Sequence, residues 1–229
     1  AAQLDALNVF PVADRDTGTN LLLTAQAAWR GARAAAGSGL RTVARAAADA
    51  ALRAAHGNSG VILSQFFRAL AETVADRDDL DAATLASALD RADRLARQAL
   101  LQPVEGTMIT VLRAAAEAAQ QALAEGATLP ELLRRVSDAA IEAVARSPEY
   151  LPILRERGVV DSGAQGLAVV FDAWAAWAQG TAPDLQPQPV SLPGFPLDTR
   201  GSCINVLLEA RGISEERIAA ELAQLGESV

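Results

Sequence analysis

From Asn20 to about Gly180 the apolar residues recur at three- and four-residue spacing, the period of a helix that buries one face. Leu21, Leu22, Ala25, Trp29 and Ala32 mark a first helix that Gly37-Ser38-Gly39 ends. A second is expected from about Arg41 to Ala55, and Gly57 to Gly60 break the pattern. Val61, Leu63, Phe66, Phe67 and Leu70 mark a third, ending near Asp76. The fourth is expected from about Leu80 to Leu101, where Pro103 stops it. A fifth spans Thr107 to about Ala124, and a sixth Leu129 to Ala145. After an irregular stretch opened by Ser147-Pro148, a seventh follows Gly163, with Leu167, Val170, Phe171, Trp174 and Trp177 at core spacing. Alanine carries much of the 51% hydrophobic content and aromatics reach only 4%, which favours close-packed helices over sheets. Trp29, Trp174 and Trp177 are read as core or lining residues.

The tail differs. Thr181 to Thr199 holds Pro183, Pro187, Pro189, Pro193 and Pro196 and reads as an extended linker. Cys203 to Glu209 looks like a strand, and Ser214 is placed to cap a short helix carrying Ile218, Leu222 and Leu225. One strand and one helix cannot bury a core. The expected organisation is therefore a helical domain over 1–180, a linker over 181–199, and the start of a second, α+β domain over 200–229.

Composition removes several functions. The net charge of -8 argues against nucleic acid as a partner. All 20 basic residues are arginine, so a lysine-dependent phosphate loop and Schiff-base catalysis are excluded. The single cysteine, Cys203, allows neither an internal disulfide nor a cysteine metal site, which fits a reducing, cytoplasmic setting. His56 is the one histidine, so histidine relays are unexpected. No apolar run reaches the ~18 residues of a membrane span.

Four polar, glycine-bearing segments each stand immediately before a helix: Asp14 to Asn20, His56 to Gly60, Pro103 to Met108 and Asp161 to Gly166. Caps and turns ordinarily use these residue types, so each segment alone reads as structural. The pair Asp14 and Asp16 is different. One acid could cap the helix; the second has no capping role, and like charges this close repel unless a cation or strong donors lie between them. A hard cation beside a helix N-terminus is how proteins hold a polyphosphate, so the segment points to a magnesium-nucleotide site.

The run Asn8-Val9-Phe10-Pro11-Val12-Ala13-Asp14-Arg15-Asp16-Thr17-Gly18-Thr19-Asn20 resembles the signature of the DhaL-like family, the nucleotide-binding domain shared by dihydroxyacetone kinases and fatty acid kinase A. His56-Gly57-Asn58-Ser59-Gly60-Val61-Ile62-Leu63-Ser64-Gln65 resembles its second motif. Glu105-Gly106-Thr107-Met108 and Val160-Asp161-Ser162-Gly163-Ala164-Gln165-Gly166 resemble the third and fourth. Thr17 stands where the dihydroxyacetone branch has His, and the tail from Ser202 resembles the opening of the middle domain of fatty acid kinase A, so the fatty acid kinase branch is the closer one.

The resemblance implies an all-α, antiparallel eight-helix barrel that holds the nucleotide at one rim, with the eighth helix expected before Ala1. It implies that Asp14 and Asp16 bind two Mg2+ ions bridging the phosphates of ATP, with Asn8 as a third ligand. Thr17, Gly18, Thr19, Asn20, Gly57, Asn58, Ser59 and Gly60 are implied around the phosphates, Thr107 and Met108 near adenine, and Asp161 and Gly163 on the ribose side. The implied reaction transfers the γ-phosphoryl group of ATP to a fatty acid carboxylate presented by a FakB-type lipid-binding partner, leaving ADP and an acyl phosphate. A homodimer is also implied. A dihydroxyacetone-type subunit and a nucleotide-binding regulator without transfer activity are the rival readings. Two departures bear on them: Arg15 stands where the branch usually has glycine, and His56 where it has arginine.

Overall fold

Seven helices of 15–18 residues follow the apolar spacing: α2 (Thr17–Ala34), α3 (Leu40–Ala54), α4 (Gly57–Thr73), α5 (Ala82–Gln98), α6 (Met108–Ala124), α7 (Leu129–Ala145) and α10 (Ser162–Ala178). In this computed structural model residues 1–74, 77–181 and 212–224 are described. Their starts are written in local chemistry. The Asp81 carboxylate accepts from Thr84 N at 2.7 Å to open α5, and Thr128 and Glu131 form a reciprocal capping box ahead of Pro130 in α7.

Each long helix packs on the next, α2 to α3 through α6 to α7, and α10 packs on α7, α6 and α2. Short connections between neighbours ~25 Å long force them to run antiparallel. The N-termini of α2, α4 and α6 therefore share one end. The α10 N-terminus joins them, because a Cβ on Gly163 would lie 2.9 Å from Met108 Cγ at the start of α6.

One main core runs through α2, α4, α5, α6, α7 and α10. At its centre the fully buried Phe66 meets Phe67, Phe171 and Trp174 at ring separations of 5.6, 5.7 and 5.4 Å. Helix α3 instead buries only alanines, Ala47, Ala48 and Ala51, against α2 and α4. The small side chains let α2 approach closely: a Cβ on Gly31 would sit 2.3 Å from Ala46 O. Among the described residues no helix is long and apolar enough to cross a membrane.

Several expectations are corrected. A short helix that the sequence pattern did not show, α1 (Ala2–Leu7), packs on α2 and α10. The stretch after Ser147 contains two short helices, α8 (Ser147–Tyr150) and α9 (Pro152–Arg157), the second ended by the left-handed Gly158. None is long enough to show a period. Trp174 is in the core, but Trp29 and Trp177 are 58% and 78% exposed, so their helical spacing is not a core stripe. Arg33 stacks over the Trp29 ring at 5.1 Å.

The C-terminal strand–helix fragment is also corrected. Among the described residues every regular element is helical and there is no strand. Cys203 to Glu209 lies outside the described residues, as do most of the proposed linker and residues 225–229. A lone strand has no neighbour for its backbone donors and acceptors, so apolar composition there is a poor basis for a sheet. Of that fragment the structure describes the helix, α11 (Glu215–Leu222), with Ser214 Oγ accepting from Arg217 N at 3.4 Å as the sequence suggested.

Candidate functional site

The loop between α1 and α2 is organised by one buried amide. Asn8 is 3% exposed. Its Oδ1 accepts from Asp16 N at 3.2 Å and Thr17 N at 3.4 Å, while its Nδ2 donates to Val12 O at 3.1 Å and Phe10 O at 3.4 Å. The Phe10-Pro11 peptide is cis, and Arg15 is left-handed with φ +58°. Between these fixed points Asp14 and Arg15 stand exposed and Asp16 half-buried at the head of α2. Partial burial and then the charge and hydrogen bond of Asp16 hold the Asp14 carboxyl above the usual carboxylate range. The two acids thus face one another.

Helix α2 is locked to α1 immediately behind them. Asp5 Oδ1 accepts from Thr19 N at 2.9 Å, and Asp5 Oδ2 from Thr19 Oγ1 at 2.8 Å. A Cβ on Gly18 would lie 2.3 Å from Ala1 O, and one on Gly166 2.3 Å from Leu21 Cδ1, so these two glycines let α1, α2 and α10 converge. Asp5 was not legible as a site residue, because nothing in a six-residue helix signals which way its acid points. Gly18 and Asn20 are buried, and Thr17 is half-buried.

The second loop opens α4. His56 is the extended residue before it, exposed, with Nδ1 at 2.8 Å from Ala54 O; a ring nitrogen facing a carbonyl carries the proton. Gly57 has φ +59°, a backbone that suits glycine. Asn58 and Ser59 are half-buried in the first turn, and Gly60 is buried against Thr24 of α2. No side-chain cap from His56 closes this helix end.

The third and fourth loops are more enclosed. Thr107 Oγ1 accepts from Ile109 N at 3.4 Å and donates to Val104 O at 2.7 Å, while Met108 is 2% exposed, inside the main core. Glu105 receives Arg97 at 3.0 Å, Arg113 at 3.1 Å and the Thr110 hydroxyl. Burial pushes its carboxyl up, but those donors outweigh it and hold it below the usual range. Asp161 is 5% exposed; its Oδ1 accepts from Ala164 N at 2.7 Å, and its own N–H donates to Ser147 Oγ at 3.0 Å. Burial pushes the Asp161 carboxyl up to about 6 against the opposing pull of the Ala164 and Gly163 amides. Met108, Asp161 and Gly163 therefore sit beneath the surface, where adenine and ribose were expected to meet them.

Four helix ends are brought together, and three are filled from within: α2 by Asn8 and Asp5, α6 by Thr107, α10 by Asp161. The first turn of α4 takes no side-chain cap from His56 and lies against α2, the helix that the acid pair precedes. A cavity of about 360 Å³ lies elsewhere, between α6 and α7, lined by Arg113, Glu117, Glu142 and Arg146 among others. Its arginines are already paired, Arg113 with Glu105 and Arg146 with Glu149. It holds none of the predicted site residues.

Among the described residues no three His, Cys, Asp or Glu side chains converge into a protein-only metal cage. Two facing carboxylates fit a magnesium ion that shares its ligands with phosphate oxygens and water, which is the usual arrangement for that ion.

The description "DAK2 domain" matches residues 11–176, which covers all four loops. The chain belongs to the DAK2 domain family. Protein YloV of Bacillus subtilis is 38% identical over 195 residues, covering 85% of this chain and 35% of that protein. An uncharacterized protein of Staphylococcus saprophyticus, SSP1546, is 38% identical over 168 residues, 73% of this chain and 30% of its own length. A third relative, from Staphylococcus epidermidis, is 33% identical over 177 residues, 77% of this chain and 32% of its own. This DAK2 domain chain spans about a third of the length of the curated relatives it matches. Membership supports a nucleotide-binding, kinase-like domain with an enzymatic role.

Proposed function

We propose that this chain is a Mg-ATP-binding kinase domain that transfers the γ-phosphoryl group of ATP to a fatty acid carboxylate held by a FakB-type lipid-binding partner, yielding ADP and an acyl phosphate. The observation that carries the reading is the facing pair Asp14 and Asp16, exposed and half-buried at the head of α2 on a loop braced by Asn8. These two acids would hold the magnesium. When bound, the metal neutralises the triphosphate and favours in-line attack on the γ-phosphorus.

The chain's own residues supply the rest. The Asn58 and Ser59 amides at the α4 N-terminus donate to phosphate oxygens, favoured by the helix dipole. Thr17 borders the same space from α2. Gly18, Gly60 and Gly163 act by letting the helix ends approach, and Thr107, Met108 and Asp161 shape the floor from below. No general base is needed, because a carboxylate acceptor is already ionised near neutral pH. This matches a site whose one histidine has a ring N–H tied to Ala54 O.

The test is the double variant Asp14→Ala/Asp16→Ala. Calorimetry should show loss of Mg-ATP binding while far-UV circular dichroism keeps its helical signal. Undiminished Mg-ATP affinity would remove the site assignment. Acyl phosphate formation with a lipid-loaded partner tests the acceptor separately: tight Mg-ATP binding without product would leave a regulator.

A further inference from the structure

The geometry points to Asn8 as a positioning residue that clamps the acid loop through both ends of its amide, and not as a metal ligand. The inference rests on the Mg-ATP reading above and assigns Asn8 a different task within it. An amide side chain offers a magnesium ion only its oxygen. Here that oxygen accepts from the N–H groups of Asp16 and Thr17, the residues that start α2, at 3.2 and 3.4 Å. The nitrogen faces the opposite wall of the loop and donates to Val12 O at 3.1 Å and Phe10 O at 3.4 Å.

The four contacts span positions 10 to 17, so one side chain fixes the strand of chain entering the acid pair and the helix leaving it. With Asn8 only 3% exposed, turning the oxygen toward a metal would strip two backbone donors of their acceptor in a place water does not reach freely. The arrangement also explains why an amide suits the position. A carboxylate could serve Asp16 and Thr17, but it would set a negative oxygen against the carbonyls of Phe10 and Val12 and add a third charge beside two facing acids.

The two roles predict opposite results. If Asn8 were a ligand, Asn8→Asp would supply a harder, charged oxygen and tighten Mg-ATP binding. For a clamp, Asn8→Asp loses both donor bonds, and the 229-residue chain should bind Mg-ATP about tenfold more weakly by calorimetry. Equal or tighter binding overturns the proposal. A second measurement needs no variant. In the wild-type chain without metal the Asp16 and Thr17 amides should exchange slowly with solvent deuterium, and saturating Mg-ATP should leave them slow. Faster exchange of these two amides on adding Mg-ATP would mean that the Asn8 oxygen has left for the metal, which also overturns it. Asn8→Ala should speed their exchange with no ligand present; unchanged exchange there refutes the clamp. Should the wild type bind no Mg-ATP at all, the functional reading falls while the metal-free exchange data still judge the clamp.

Discussion

Arg15 adopts φ +58° between the two acids and is the one non-glycine residue with positive φ among the described residues. For an L side chain this region costs roughly 1–2 kcal/mol. The position is therefore built for glycine, which is what the family pattern usually has there. Comparing Arg15→Gly with Arg15→Ala isolates the backbone, since both remove the side chain. Glycine should be the more stable by about 1 kcal/mol in urea unfolding, the reverse of its rank at an ordinary position. Equal stabilities would mean that the loop turns without strain. The departure at Arg15 was plain in the sequence, but its cost was not, because a backbone angle depends on how Asn8 and the head of α2 hold the loop.

At the scale of elements, contact between helices is set where a glycine meets a backbone. Gly31 lies against Ala46 O on α3, with 2.3 Å to spare for a Cβ that would need far more. Gly31→Ala should separate α2 from α3 and destabilise the chain by about 1–3 kcal/mol, read as a lower thermal midpoint, while Mg-ATP affinity holds because the acid loop is at the other end of α2. A matching loss of affinity would show that the α2–α3 contact sets the loop as well. The seven long helices were legible because each repeats an apolar face over four turns or more. Their ends were less so: the fourth predicted helix overran α5 at both ends, since Leu80, Leu100 and Leu101 continue the apolar pattern without continuing the helix. Helices α1, α8 and α9 have four to six residues and carry no period to read.

For the whole molecule, Asp161 couples stability to pH. Its carboxyl titrates near 6 in the fold against an ordinary value of 3.8, so the folded chain holds the proton more tightly than the unfolded one. The stability this contributes is complete below about pH 4 and is lost as pH rises through about 6. Asp161→Asn keeps an oxygen for the Ala164 amide and removes the charge. Unfolding free energies should therefore shift in favour of the variant by up to ~3 kcal/mol between pH 4 and pH 7. A difference that stays constant with pH would show that Asp161 does not carry a buried charge.

The sequence was enough to establish a helical chain with four glycine-bearing helix starts, because periodicity and cap chemistry are local. It was enough also to single out Asp14 and Asp16, because two like charges so close together require a partner wherever the chain folds. It could not say which of the four helix ends are capped, or by which residues. That depends on residues distant in sequence, such as Asp5 reaching Thr19 and Ser147 receiving the Asp161 N–H, and on the packing that buries Met108 against Gly163. Burial is a property of neighbours, and a motif read along one chain carries no information about which of its polar groups the fold has already satisfied. Folding turned four equivalent-looking loops into two enclosed caps, one braced acid pair and one helix end without a side-chain cap.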